Sequence, residues 1–257
     1  MSAASSVFLM YHELELPNRR FCQSEPGYVR YVILEQEFRE QMAAIREAGL
    51  QGLSVTDALQ FSAPAVAITI DDGCETDLLA IAPILREFHF GGTFYVVAGF
   101  LDKPGYLSVS QLRELSGLDF EIGCHSMTHP YLSDLDDASL PGEIADSKKV
   151  LEQILGKPVE HFSCPGGRYD ARAIRVAKNA GYHTFGTSAP RANSASTDRF
   201  SLGRVAITRG LSRTAFKNLC RGDGLWKLSL RVGIRDGAKR MLGNSAYDRV
   251  RAMLLRR

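Results

Sequence analysis

The chain has 257 residues, 45% hydrophobic and 23% charged, which is the make-up of an ordinary soluble globular protein with length for one large α/β domain or two small ones. Five scattered cysteines (22, 74, 124, 164 and 220) without a CxxC pair argue against a disulfide framework or a structural zinc knuckle and fit a reducing compartment. The net charge of +2 hides an asymmetry: residues 204–257 hold fourteen Lys/Arg against three Asp/Glu, so a mildly acidic body carries a basic end suited to an anionic partner.

The first residues, "MSAASSVFLMYHE", lack a basic n-region, and the apolar run "VFLMY" is too short for a signal-peptide core. No stretch approaches the ~20 apolar residues that cross a bilayer, and a cytoplasmic protein is expected. "SVFLMY" (6–11) reads as the first strand. Phe38, Met42, Ile45 and Ala48 recur along one face of a helix over 35–48. Strands follow at 65–70 ("AVAITI") and 92–97 ("GTFYVV"), then "GYLSVSQLREL" (105–115), a loop leading into a capped helix, and a strand at 120–124 ("FEIGC"). Leu140, Ile144, Leu151 and Leu155 mark a helix within 134–155, stopped by Gly156 and Pro158. Strands at 160–164 and 182–187 flank a third helix, "RAIRVAKNAG" (172–181). This alternation predicts a parallel sheet with crossover helices, hence one barrel-like α/β domain (1–209), followed by a basic helical C-terminal extension (210–257).

Two motifs carry chemistry. "TIDDG" (69–73) places Asp71 and Asp72 side by side where a buried strand ends, although adjacent like charges repel and lose hydration there. "CHSMTHP" (124–130) places His125 and His129 four apart, a spacing that on one helical turn puts both imidazoles on one face to bind a single divalent cation. Both motifs fall at the C-terminal ends of strands, where parallel α/β barrels keep their active sites. A metal held by the two histidines and one carboxylate would relieve the carboxylate pair and leave the other acid beside it.

These residues resemble the polysaccharide deacetylases, the NodB-homology or chitin-deacetylase-like carbohydrate esterases. Thr69-Ile70-Asp71-Asp72-Gly73 matches their T-[FI]-D-D-G motif, and His125-Ser126-Met127-Thr128-His129 matches their H-[ST]-x-x-H motif, in the family's order and spacing, within a resemblance running from about residue 5 to 209. The resemblance implies a distorted parallel (β/α) barrel. It implies that Asp72, His125 and His129 bind a divalent metal, commonly zinc (with cobalt, nickel or manganese as alternatives), and that Asp71 is the general base. The third motif, R-x-P-x-G, stands here as "SCPGG" (163–167), with Ser163 in place of the arginine that orients the base; Arg168 or Arg204 is the substitute to look for. Pro165, Gly166 and Gly167 are retained and would border the site, where their backbone could give an N–H to the oxyanion. The C-terminal L-x-H of the family is absent, but "LMYHE" resembles the M-Y-H segment of exopolysaccharide-associated relatives, which implies His12 as the general acid.

The expected activity is therefore metal-dependent hydrolysis of N-acetyl groups on an N-acetylhexosamine-containing polysaccharide or precursor. The alternatives are hydrolysis of a small non-sugar amide and a non-catalytic saccharide-binding module. Cys74, Cys124 and Cys164 each neighbour a motif residue, either as small buried thiols or as soft ligands or a redox lock. In the basic end, "GLWKLSLRVGIRDGAKRML" (224–242) interleaves apolar and basic side chains around the single Trp, which suits peripheral contact of 213–257 with an anionic membrane at its cytoplasmic face; packing on the barrel is the alternative. No nucleic acid is expected, because aromatics do not interleave with those charges.

Overall fold

The computed structural model describes residues 5–230 and Gly233. The distal part of the basic end, where most of the expected membrane contact falls, lies outside the described residues.

The chain opens with β1 (Ser5–Tyr11), β2 (Leu14–Glu15), α1 (Pro26–Val29), β3 (Ile33–Leu34) and α2 (Glu35–Glu47). It continues through β4 (Gly52–Leu53), α3 (Val55–Gln60), β5 (Val66–Asp72), α4 (Ala82–Phe88), β6 (Thr93–Val96), α5 (Val109–Gly117), β7 (Glu121–Cys124), α6 (Ser147–Leu155), β8 (His161–Ser163), α7 (Ala171–Asn179) and β9 (Thr184–Gly186). β10 (Asn193–Ser194), β11 (Val205–Ala206) and α8 (Arg213–Cys220) follow. Every strand read from an apolar run is present within a few residues of its expected bounds. The helix expected from 134 starts later, at Leu140, and runs through a wider helical turn at Gly142–Asp146 into α6, because Asp136 accepts the Ser139 N–H at 2.8 Å and sets the preceding turn. Ser108 caps α5, with Gln111 reaching back to its N–H at 2.8 Å.

The sheet runs β10-β1-β5-β6-β7-β8-β9, parallel except for β10, with β4 beside β5 and β11 beside β1. Its ends are joined by residues 202–206. Leu202 bridges Gly186 of β9, while Val205 and Ala206 pair with Leu9 and Met10 of β1, so this short segment completes the curl of a distorted barrel.

Side chains alternate across the strands. Val7, Leu9, Tyr11, Ile68, Ile70, Phe94 and Val96 join the large core under the helices. Phe8, Ala67, Tyr95 and Leu202 form a second cluster, closed by Val55 and Ala58 of α3. Phe216 and Cys220 of α8 and Leu225 beyond it belong to the large core, and Glu47 of α2 accepts hydrogen bonds from Arg213 and Lys217. Residues 225–230 are helical, with Trp226 and Leu230 exposed. Among the described residues no helix is long and apolar enough to cross a membrane.

Candidate active site

Consecutive strand residues face opposite sides of a sheet, so two adjacent carboxylates cannot both line one mouth without a break in the strand. β5 supplies that break. Asp71 is 2% exposed, while Asp72 (φ +83°) and Gly73 (φ +77°) turn the chain as the strand ends and bring the second carboxylate to the same place. A positive φ at a non-glycine residue is uncommon and marks a position held by its surroundings.

The histidines do not share a helical turn. Residues 125–129 form a loop after β7, with Ser126 at φ +68° and His129 at φ +64°, neither compatible with a helix. The expected helical geometry is therefore corrected, but the loop brings both rings to the carboxylates. His129 Nε2 lies 3.4 Å and His125 Nε2 3.6 Å from Asp72 Oδ1. His125 Nδ1 is 2.8 Å from the Ser163 carbonyl, which places the ring hydrogen on Nδ1 and leaves the Nε2 lone pair facing Asp72. Burial pushes His125 down to about 4, against the pull of Asp71, so its ring is neutral near pH 7.

Asp72 Oδ1 is buried with no hydrogen-bond partner among the described residues. A carboxylate oxygen facing bare imidazole nitrogens is costly unless a cation sits between them. One ligand atom from each of Asp72, His125 and His129 lies within 4.8 Å of the others. This donor set fits a divalent metal with open coordination positions.

Asp71 is treated differently. Arg204 Nη1 donates to its Oδ1 at 2.7 Å and Nη2 to its Oδ2 at 2.9 Å, a bidentate pair in which Arg204 is only 1% exposed. Ser163 Oγ donates to Asp71 at 3.2 Å and accepts from Arg204 Nη2 at 2.6 Å. Arg204 also reaches Thr69 Oγ1 (3.2 Å) and the Thr187 carbonyl (3.1 Å), and it lies over the Tyr95 ring at 5.3 Å. Burial raises the Asp71 carboxyl, but Arg204 outweighs it and holds the group well below the usual carboxylate range. Of the two arginines considered for this place, Arg204 occupies it. Arg168 instead stacks on Tyr131 at 3.9 Å, with Asp134 4.0 Å away.

His12 follows β1, stacked on Tyr31 with centroids 4.8 Å apart. Its Nδ1 is buried without a hydrogen-bond partner among the described residues. Burial pushes the imidazole down, while Asp72 and Asp71 pull it up, which places His12 in the field of the same carboxylates. Pro165–Gly167 form a tight turn after β8, in which the Gly167 N–H is donated to the Cys164 carbonyl at 3.1 Å. That N–H is thereby spent inside the turn. A Cβ at Gly166 would fall 2.6 Å from the Tyr131 ring, so glycine permits the close packing of this wall.

Sequence reasoning missed Glu143 and Tyr31. Glu143 accepts the N–H groups of Met127 (3.0 Å) and Thr128 (2.8 Å) and the Thr128 hydroxyl (2.6 Å), gripping the histidine loop from the turn before α6. Its amphipathic helical setting held no sign of this, since the partners lie fifteen or sixteen residues away. Tyr31 had no motif to mark it.

The family model described as polysaccharide deacetylase matches residues 59–185, which contain both motifs. The Bacillus subtilis (strain 168) protein YxkH, named for the same family, is 26% identical over 83% of this chain and 75% of its own. A peptidoglycan-N-acetylglucosamine deacetylase of Bacillus cereus is 34% identical over 46% of this chain, a match that spans 54% of that relative. Among solved structures, the Streptococcus pyogenes deacetylase PplD in complex with acetate superposes with a TM-score of 0.74 over 85% of this chain and 99% of that one; at 20% identity this shows the shared fold. The carboxylate turn, the histidine loop and the curled parallel sheet thus lead to one conclusion: the chain belongs to the polysaccharide deacetylase family.

Proposed function

We propose that this protein is a metal-dependent deacetylase that removes acetyl groups from N-acetylhexosamine units of a polysaccharide or its precursor, leaving a free amino sugar and acetate. One observation carries the reading: a buried, unpartnered Asp72 oxygen faces two imidazole nitrogens beside a second carboxylate braced by Arg204. The relative named for N-acetylglucosamine supports an acetamido sugar as substrate.

Asp72, His125 and His129 would hold a divalent metal, with zinc the natural choice for this nitrogen and oxygen set, and when bound it polarises the acetyl carbonyl and acidifies water. Asp71 is ionised throughout the neutral range and takes the proton of the attacking water. Arg204 and Ser163 fix its carboxylate plane. His12 gives its proton to the amide nitrogen as the C–N bond breaks, so the sugar departs as an amine and the acyl group as acetate. Because burial lowers His12, the protonated form it needs is lost as pH rises through that lowered value, and turnover declines there. The turn after β8, Pro165, Gly166, Gly167 and Arg168, would wall the approach on that side, with Gly166 and Arg168 packed against Tyr131.

The test is acetate release from N-acetylglucosamine oligomers by metal-loaded protein. Asp71→Asn should lower turnover by about 10³-fold, and His12→Ala by about 10²- to 10⁴-fold, with calorimetric metal binding retained in both. Metal binding without acetate release would remove the deacetylase reading in favour of a binding module or another amide substrate. Undiminished turnover in Asp71→Asn would remove that residue as the base.

A further inference from the structure

We propose that Cys22 and Cys74 are an oxidisable pair that forms a reversible disulfide, tying the loop after β2 to the turn that carries Asp71 and Asp72. The two Sγ atoms are 3.0 Å apart. Cys74 is fully buried and Cys22 half-buried, so reagents reach the pair through Cys22.

Several separate segments hold the contact in place. Gly105, at φ +89°, lets its bare Cα approach Cys22; a Cβ there would lie 3.2 Å from the Cys22 sulfur and 3.4 Å from its Cα. The Gly105 carbonyl accepts from Cys22 Sγ (3.0 Å), Arg19 Nη2 (2.6 Å) and the Glu75 N–H (2.9 Å). On the far side, buried Glu13 accepts the Cys22 N–H at 2.9 Å, and the Tyr28 hydroxyl bonds Glu13 at 2.9 Å while touching Cys74 Sγ at 3.3 Å.

Glu13, Cys22 and Cys74 are also close enough to bind a cation together. The Glu13 carboxylate, however, is already ion-paired with Arg19 and bonded to Tyr28 and the Cys22 N–H. A cation would have to displace a guanidinium, whereas a sulfur–sulfur bond leaves every one of these contacts to Glu13 intact.

The oxidant is a small-molecule disulfide. The Cys22 thiolate attacks one of its sulfurs and expels one thiol, giving a mixed disulfide; Cys74 then attacks the Cys22 sulfur and expels the second. Two protein thiols lose two electrons and two protons, and one disulfide becomes two thiols. Because Cys74 follows Asp72 by two residues, and the Cys22 N–H is held by Glu13, the residue after His12, the cross-link would tie the Asp72 turn to the segment that carries His12.

The experiment incubates the full chain with oxidised glutathione, alkylates the remaining thiols after unfolding, and maps the peptides by mass. The expected product is a Cys22–Cys74 peptide pair, two hydrogens lighter than the separate thiols, with a Tm higher by about 5–10 °C. Both changes should reverse with reductant and be absent in Cys22→Ser. Alkyl label on both cysteines, or a glutathione adduct that stays on Cys22, would overturn the proposal. Protection of both thiols by zinc alone, persisting in Asp72→Asn, would make the cluster a metal site and overturn it equally.

Discussion

At Asp71 burial and charge act in opposite directions, and Arg204 is the residue that settles the balance. Burial favours the neutral acid, the bidentate guanidinium favours the carboxylate, and the carboxylate wins. Ser163 is part of the same device. Standing where the family motif has an arginine, its small side chain leaves room for Arg204 Nη2 and bridges it to Asp71. Arg204→Gln should therefore cost about 3–5 kcal/mol, since it leaves a buried carboxylate without its partner. The same change should shift the acid limb of the pH–rate profile upward, toward or above the ordinary carboxylate value. A thermal melt and a rate profile measure the two effects, and an unmoved acid limb would show that Arg204 does not govern Asp71.

At the level of elements, the histidine loop owes its shape to its neighbours. Its left-handed residues are stabilised by Ser126 Oγ accepting the His129 N–H at 2.9 Å, by Glu143, and by the pairing of Ala98 and Gly99 with Ser126 and Met127. Gly99 is required there, because a Cβ would lie 2.6 Å from the Met127 carbonyl oxygen. Glu143→Gln replaces an acceptor-only group with one that presents an NH₂ to backbone donors. Metal affinity should fall about tenfold, as for other residues that support metal ligands. Competition against a chromophoric chelator reads this directly; unchanged affinity would mean the loop keeps its shape without Glu143.

Across the whole molecule, residues 202–206 join the last strand to the first, and the ion pair of Asp71 with Arg204 spans that join. Asp71 sits below its unfolded value, so the ionised form stabilises the fold. That contribution is complete above an unfolded carboxylate pKa of ~3.9 and is lost as pH falls below it. Urea unfolding should show stability declining steeply below about pH 4, with a shallower decline in Asp71→Asn. Equal slopes in the two proteins would place the acid sensitivity elsewhere.

Much of this protein is written locally. The longer sheet strands fall on short, largely apolar stretches legible within a few residues, and the two motifs sit at strand ends, so the barrel and the grouping of Asp71, Asp72, His125 and His129 follow from the chain alone. The helix α3 went unread because its six residues are too few to sustain a helical period, whereas the helical stretch from Asp77 through α4 does carry one, in Ala80, Ile81, Ile84, Leu85 and Phe88, and was overlooked. The replacement of the motif arginine was open between Arg168 and Arg204, and the role of Glu143 was invisible. Arg204 lies 133 residues from Asp71, on a segment too short to read as a strand, and it meets its partner only because the sheet curls closed. Local sequence sets which way a side chain points along a strand. Which distant charge it meets depends on how the strands are joined, and no local pattern records that.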